Sequence, residues 1–165
     1  MPAISTRPKQ DDHTSFQCAC GPLTLCGDIE PVCVVDPTCP PSDIIPSNTD
    51  FRVDVKFEIF GTVVPRMGGD FDITVAFESI GNGPEMSLSP VRVPVTSGTY
   101  SVNPTEGPER DYVVKVPVPN SDGKLTEGVY LLSAYVTYTG TNNKPGPVAG
   151  MSPEKFLHIM PKSSF

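Results

Sequence analysis

The chain has 165 residues, with 12 basic and 19 acidic side chains for a net charge of −7, 20 prolines, 14 glycines and no tryptophan. An acidic chain without a basic stripe has nothing to neutralise phosphates, which excludes general nucleic-acid binding and docking on an anionic membrane surface. No run approaches the roughly 18 apolar residues of a membrane-spanning helix, and many prolines among short apolar runs favour strands and turns over helices.

Residues 1–47 read as a cysteine- and proline-rich arm. Residues 1–46 hold eight prolines and six acids against two basic residues. Segments such as Asp36-Pro37-Thr38-Cys39-Pro40-Pro41 are poor helix formers and favour extended conformations. The run Val32 to Val35 can add one short strand to a neighbour. The opening stretch MPAISTRPKQDDHTSFQ has no apolar core of the kind a secretory signal needs. The expected location is a cytosolic assembly or a surface structure exported without a classical signal.

All five cysteines, Cys18, Cys20, Cys26, Cys33 and Cys39, fall in this arm, which makes them the candidate cross-linking or metal residues. Three chemistries stay open. Clustered cysteines in a loop-rich segment are the usual staple for a region too small to bury a core. Zinc wants four thiolate or imidazole ligands, and His13 is near, but the spacing Cys-x-Cys-x₅-Cys-x₆-Cys-x₅-Cys departs from the usual Cys-x₂₋₄-Cys. Free thiols are the third possibility. Five is odd, so full oxidation within one chain leaves one thiol for an intermolecular bond.

From Phe51 the pattern changes. Phe51, Val53, Val55, Phe57 and Ile59 alternate with Arg52, Asp54, Lys56 and Glu58, the period of a half-buried strand. Phe71, Ile73, Val75 and Phe77 repeat the pattern after a break at Val63 to Gly69, and Gly81-Asn82-Gly83-Pro84 reads as a turn. Weaker strands follow at Met86 to Leu88, Val91 to Val95, Thr99 to Val102 and Tyr112 to Val118, where prolines suggest edges or bulges. The clearest strand runs from Val129 to Thr139. Gly140 to Gly150 reads as a flexible loop, and Phe156 to Met160 as the last strand. The expectation is an all-β fold: a single antiparallel β-sandwich of about seven strands over residues 48–165, carrying the extended arm 1–47.

The stretch Leu125-Thr126-Glu127-Gly128-Val129-Tyr130-Leu131-Leu132 resembles the corner before the F strand in immunoglobulin-like and fibronectin type III-like domains. There a tyrosine hydroxyl ties the corner backbone, and the resemblance makes Tyr130 the structural corner residue. It concerns fold and not activity. A core tryptophan and an intersheet cysteine pair, both marks of antibody-type domains, are missing, which disfavours a true antibody-type domain and leaves a jelly roll as the alternative.

Little of the sequence suits catalysis. The histidines are His13, in the arm, and His158, in the last strand. No nucleophile elbow, phosphate-binding glycine loop or His-Glu-x-x-His motif occurs. A pair such as Asp70 and Asp72 projects from one face of a strand and, with Glu106, Glu109 or Asp111, could hold calcium, but no compact calcium loop is visible. No cofactor or enzymatic activity is expected. The expected role is a non-catalytic structural or assembly protein, whose arm links the sandwich to neighbouring subunits or a larger particle in a homo-oligomer. The alternative is an adhesin-type module recognising a glycan or protein through Gly140 to Gly150, with Asn142 and Asn143, or through Tyr100, Tyr112, Tyr135 and Tyr138.

Overall fold

The computed structural model describes residues 14–15, 24–36 and 42–164. Their strands, in chain order, are β1 (Thr14–Ser15), β2 (Cys26–Ile29), β3 (Cys33–Val35), β4 (Ile44–Pro46), β5 (Phe51–Phe60), β6 (Asp70–Ser79), β7 (Met86–Ser87), β8 (Val91–Pro94), β9 (Thr99–Asn103), β10 (Gly107–Val118), β11 (Gly128–Thr139), β12 (Pro145–Met151) and β13 (Lys155–Met160). Single turns of 3₁₀ helix at Val64–Arg66, Val95–Ser97 and Lys162–Ser164 are the only helical pieces among the described residues.

The strands form two sheets. The first runs β1-β2-β5-β10-β9, with β3 laid beside β5 beyond β2. The second runs β4-β13-β11-β6-β7, with β12 beside β11 and β8 beside β6. Every pairing is antiparallel except that of β4 with β13. The fold is therefore an all-β sandwich.

The alternation read from the sequence sets the inner faces. Val53, Val55, Phe57, Ile73, Val75, Phe77, Leu132 and Val136 are all buried. The aromatic side chains form the thickest part of this layer. Phe71 meets both Phe57 and Tyr112 edge-on at 5.3 Å, and Phe51 meets Phe77 edge-on at 6.1 Å. These are the offset geometries that ring quadrupoles favour.

The N-terminal segment differs most from expectation. Residues read as a separate arm supply strands to both sheets. Cys26–Ile29 pairs with the end of β5, and Cys33–Val35 pairs with its beginning. Between them the Glu30 N–H donates to the Lys56 carbonyl at 3.0 Å. Leu25, Ile29, Val32 and Val34 are buried in the core. Ile44–Pro46 then crosses to the second sheet and pairs with His158–Met160, burying Ile45. The 47/48 boundary is thus not an edge of the sandwich. The physical reason is length. Strands of three or four residues are too short to show a convincing alternation, yet each buries its inward side chains once β5 or β13 is beside it.

A smaller difference lies at Gly140 to Gly150. Instead of one flexible loop, a tight turn leads into β12, whose pairing with β11 has an irregularity between Thr137 and Thr139. The Tyr138 ring lies where a Cβ on Gly146 would stand, 2.2 Å from its nearest atom, so only glycine admits this approach.

Candidate interaction surface

The two outer faces of the sandwich differ in chemistry. The first sheet presents Arg52, Asp54, Lys56 and Glu58 from β5 and Asp111, the exposed Val113 and Lys115 from β10. Arg52 Nε lies 2.7 Å from Asp54 Oδ1. Register sets Asp28, Glu58 and Asp111 side by side across three neighbouring strands, lining a shallow groove of about 190 Å³ with Glu30 and Lys56. Among the described residues no group of three or more His, Cys, Asp or Glu is placed to hold a metal ion. This face is charged and solvated.

The outer face of the second sheet is apolar at one end, around β4, β13 and the start of β11, and polar along β6, where Asp70, Asp72, Thr74 and Glu78 face outward. Strand β11 presents Val129, Leu131, Ser133 and Tyr135. Leu131 stands opposite Phe156 on β13 and opposite Glu78 on β6, while His158 stands between Val129 and Ile44. Ile80, just after β6, donates its N–H to the Val129 carbonyl at 2.9 Å. The apolar members are open to solvent: Phe156 is 62% exposed, Ile80 51%, Ile44 42% and Tyr135 41%. A groove of about 470 Å³ runs along β4 and β13 between Asp43, Ile44, Val129, Glu154, Phe156 and His158. Lys155 closes its rim in an ion pair with Asp43 at 2.8 Å. Farther along the sheet Arg92 grips Asp72 through two hydrogen bonds of 2.8 and 2.9 Å. Those bonds hold the Asp72 carboxyl below its usual range.

The cysteines divide. Cys18, Cys20 and Cys39, like His13, lie outside the described residues. Cys26 is disulfide-bonded, and Cys33 carries a free, half-buried thiol. Cys26 stands opposite Phe60 and Cys33 opposite Asp54. Those partners are separated along β5 by about 20 Å at the usual rise per residue. A disulfide needs Cα atoms within about 7 Å, so Cys26 and Cys33 cannot bond to each other within this fold, nor ligate one metal ion together.

Tyr130 is fully buried, and its hydroxyl donates to the Thr126 carbonyl at 2.8 Å, four residues upstream. The loop it ties is organised by Asn120 and Asp50. Buried Asn120 accepts from Leu125 N–H at 2.7 Å and donates Nδ2 to the Leu125 carbonyl at 3.3 Å. Asp50 Oδ1 accepts from the Asn120 and Ser121 N–H groups, both at 2.7 Å, and these backbone donors hold its pKa below the usual carboxylate value.

The candidate calcium carboxylates separate, with Asp70 and Asp72 on the second sheet and Glu109 and Asp111 on the first. Glu109 is buried and accepts from Ser101 Oγ at 2.9 Å. The four tyrosines do not converge either. Tyr112 is buried, Tyr138 donates to the Gly68 carbonyl at 2.9 Å, and Tyr100 lies beneath the Arg110 guanidinium at 5.1 Å. Tyr135 lies on the outer face of the second sheet, between Thr74 and Met151. The sequence did carry a signal for the apolar end of that face. In Phe156-Leu157-His158-Ile159-Met160 and Val129-Tyr130-Leu131-Leu132 both parities carry apolar residues, with His158 the one exception, whereas a strand with one solvated face alternates.

No family model and no curated protein matches the chain. Among solved structures it is similar to the C-terminal domain of wzt, at 13% identity and a TM-score of 0.46, over 93% of this chain and 80% of that one. It is also similar to the putative ApaA protein from Bordetella pertussis, at 15% identity and a TM-score of 0.38, over 86% of this chain and 98% of that one.

Proposed function

We propose that the protein is a non-catalytic assembly module, a β-sandwich that associates with a second copy of itself through the outer face of its second sheet. The observation that carries this reading is the exposed apolar surface of Phe156, Ile44 and Ile80 beside Leu131 and Val129 at one end of that face. Contiguous apolar patches on a soluble domain mark interaction sites. A flat apolar sheet face packs best on another sheet face about 10 Å away, and each copy of this chain carries one.

Charge favours the same pairing. A net charge of −7 makes two copies repel. Stacked by their second sheets, two sandwiches would make four layers. The Asp28–Glu58–Asp111 rows would then lie on opposite outer surfaces, roughly three sheet spacings or about 30 Å apart. At physiological ionic strength charges are screened beyond about 8 Å, so the acidic faces would contribute little repulsion.

The Tyr130 corner supports a finer reading of the fold as immunoglobulin-like. The cysteine-bearing N-terminus supports a further, covalent link between subunits. Sedimentation velocity over a concentration series, with and without reductant, tests the proposal. The wild-type chain is expected to associate, and Phe156→Glu to sediment as a monomer with an unchanged unfolding midpoint, since the side chain is outside the core. A wild-type chain that stays monomeric at high concentration overturns the reading, and glycan affinity in such a monomer would favour the adhesin-type alternative.

A further inference from the structure

The turn between β6 and β7 contains the only Asn-Gly pair in the chain, Asn82–Gly83. Asn82 is exposed. Asparagine deamidates when the backbone nitrogen of the next residue attacks its side-chain carbonyl. A side chain on that next residue hinders the attack, and glycine has none. The backbone packs closely here: a Cβ on Gly83 would stand 2.6 Å from Ser79 Oγ and 3.1 Å from the Tyr130 hydroxyl, so the serine would have to turn away.

The other asparagines are protected, each by an identifiable feature. Asn103 precedes Pro104, whose nitrogen carries no hydrogen to lose. Asn120 is buried with both amide atoms bonded to Leu125, and the Ser121 N–H is held by Asp50. After Asn142, the Asn143 N–H donates to the Gly140 carbonyl at 2.9 Å. After Asn143, the Lys144 N–H donates to Asn142 Oδ1 at 3.1 Å. Asn48 precedes the β-branched Thr49. The Gly83 N–H also has an acceptor, the Ser79 hydroxyl at 3.0 Å.

We propose that Asn82 is a site of spontaneous deamidation whose rate is restrained by Ser79. The Gly83 nitrogen gives its proton to water and bonds to Asn82 Cγ. The Cγ–Nδ2 bond breaks, and ammonia leaves a five-membered imide. Water then opens either imide carbonyl, giving aspartate or isoaspartate at position 82. No electrons are exchanged, and the net reaction consumes one water and releases one ammonia. The new carboxylate stands two residues from Ile80, at the rim of the apolar face. A weakening of self-association by that charge rests on the assembly reading above, whereas the modification itself does not.

The test is a time course on the full-length chain at mildly alkaline pH, followed by peptide mapping and mass spectrometry that separates isoaspartate from aspartate. The Asn82 peptide is expected to convert first. Ser79→Ala is expected to speed its conversion several-fold by freeing the Gly83 N–H, and Asn82→Gln to remove the mass gain from that peptide without altering the fold. Conversion of the Asn142–Asn143 peptide as fast as that of Asn82 would overturn the proposal. So would an unchanged folded chain under conditions that convert the urea-unfolded one. Sedimentation of aged against fresh protein reads the effect on association separately, so a failure there leaves the mass result standing.

Discussion

Phe57 and Tyr112 stand opposite each other on β5 and β10, with ring centroids 4.6 Å apart and planes 8° from parallel. The pair spans the middle of the first sheet's inner face, and Phe71 of the second sheet meets both rings edge-on. Three aromatic side chains thus join the two layers at one point. Phe57→Ala would leave a cavity against two rings that cannot collapse into it. A loss of about 3–5 kcal/mol is expected, read as a drop in the urea midpoint at constant slope.

Tyr112 also makes stability depend on alkaline pH. Its hydroxyl donates to the Val95 carbonyl, and its ring packs on Gly98. Burial holds its pKa well above the ordinary phenol range, with Arg110 opposing. In the unfolded chain the group ionises near its ordinary value of about 10. The stabilisation is therefore full below that pH and declines as pH rises above it, where the unfolded chain sheds a proton that the folded chain retains. Urea midpoints measured against pH should fall in this window, and Tyr112→Phe should flatten the fall. An equal alkaline slope in both proteins would show that Tyr112 is not its source.

Tyr130 offers a narrower test. Its hydroxyl bond to the Thr126 carbonyl at 2.8 Å closes the corner before β11. Tyr130→Phe keeps the buried ring and removes the donor, so the expected loss is about 1 kcal/mol. Hydrogen exchange should then quicken at Leu125 and Tyr130 before the strand centres respond. Unaltered exchange in the loop would show that the hydroxyl does not hold it.

Removal of residues 1–46 tests how the N-terminal segment is used. It takes away Ile29, Val32, Val34 and Ile45, all buried. At about 1.5–3 kcal/mol each, their burial amounts to roughly 6–12 kcal/mol, the size of a whole domain's net stability. The deletion should abolish cooperative unfolding. Ile29→Ala and Ile45→Ala, one in each sheet, should each lower the midpoint without preventing folding. A truncated chain that unfolds cooperatively would show these strands to be dispensable.

The long strands were legible in the sequence because each is long enough for a period to declare itself. Ten residues of β5 give five inward and five outward positions, and no turn chemistry interrupts them. The inward residues of β5, β6 and β11 follow directly. So does the Tyr130 corner, whose donor and acceptor are four residues apart.

What the sequence did not declare depends on partners distant in the chain. β2, β3 and β4 are three or four residues long, and Cys33–Val35 buries Val34 only because β5 lies beside it. Of the residues whose composition suggested a free arm, Cys26, Cys33 and Pro46 lie in these strands. The apolar face is decided the same way. Phe156, Leu131 and Ile44 belong to three strands that only tertiary pairing makes neighbours. By itself the sequence determined the period of the long strands, and so which of their side chains face inward. Which short segments complete the sheets, and which outward side chains merge into one surface, was decided by register, because pairing between strands carries information that no local window of residues contains.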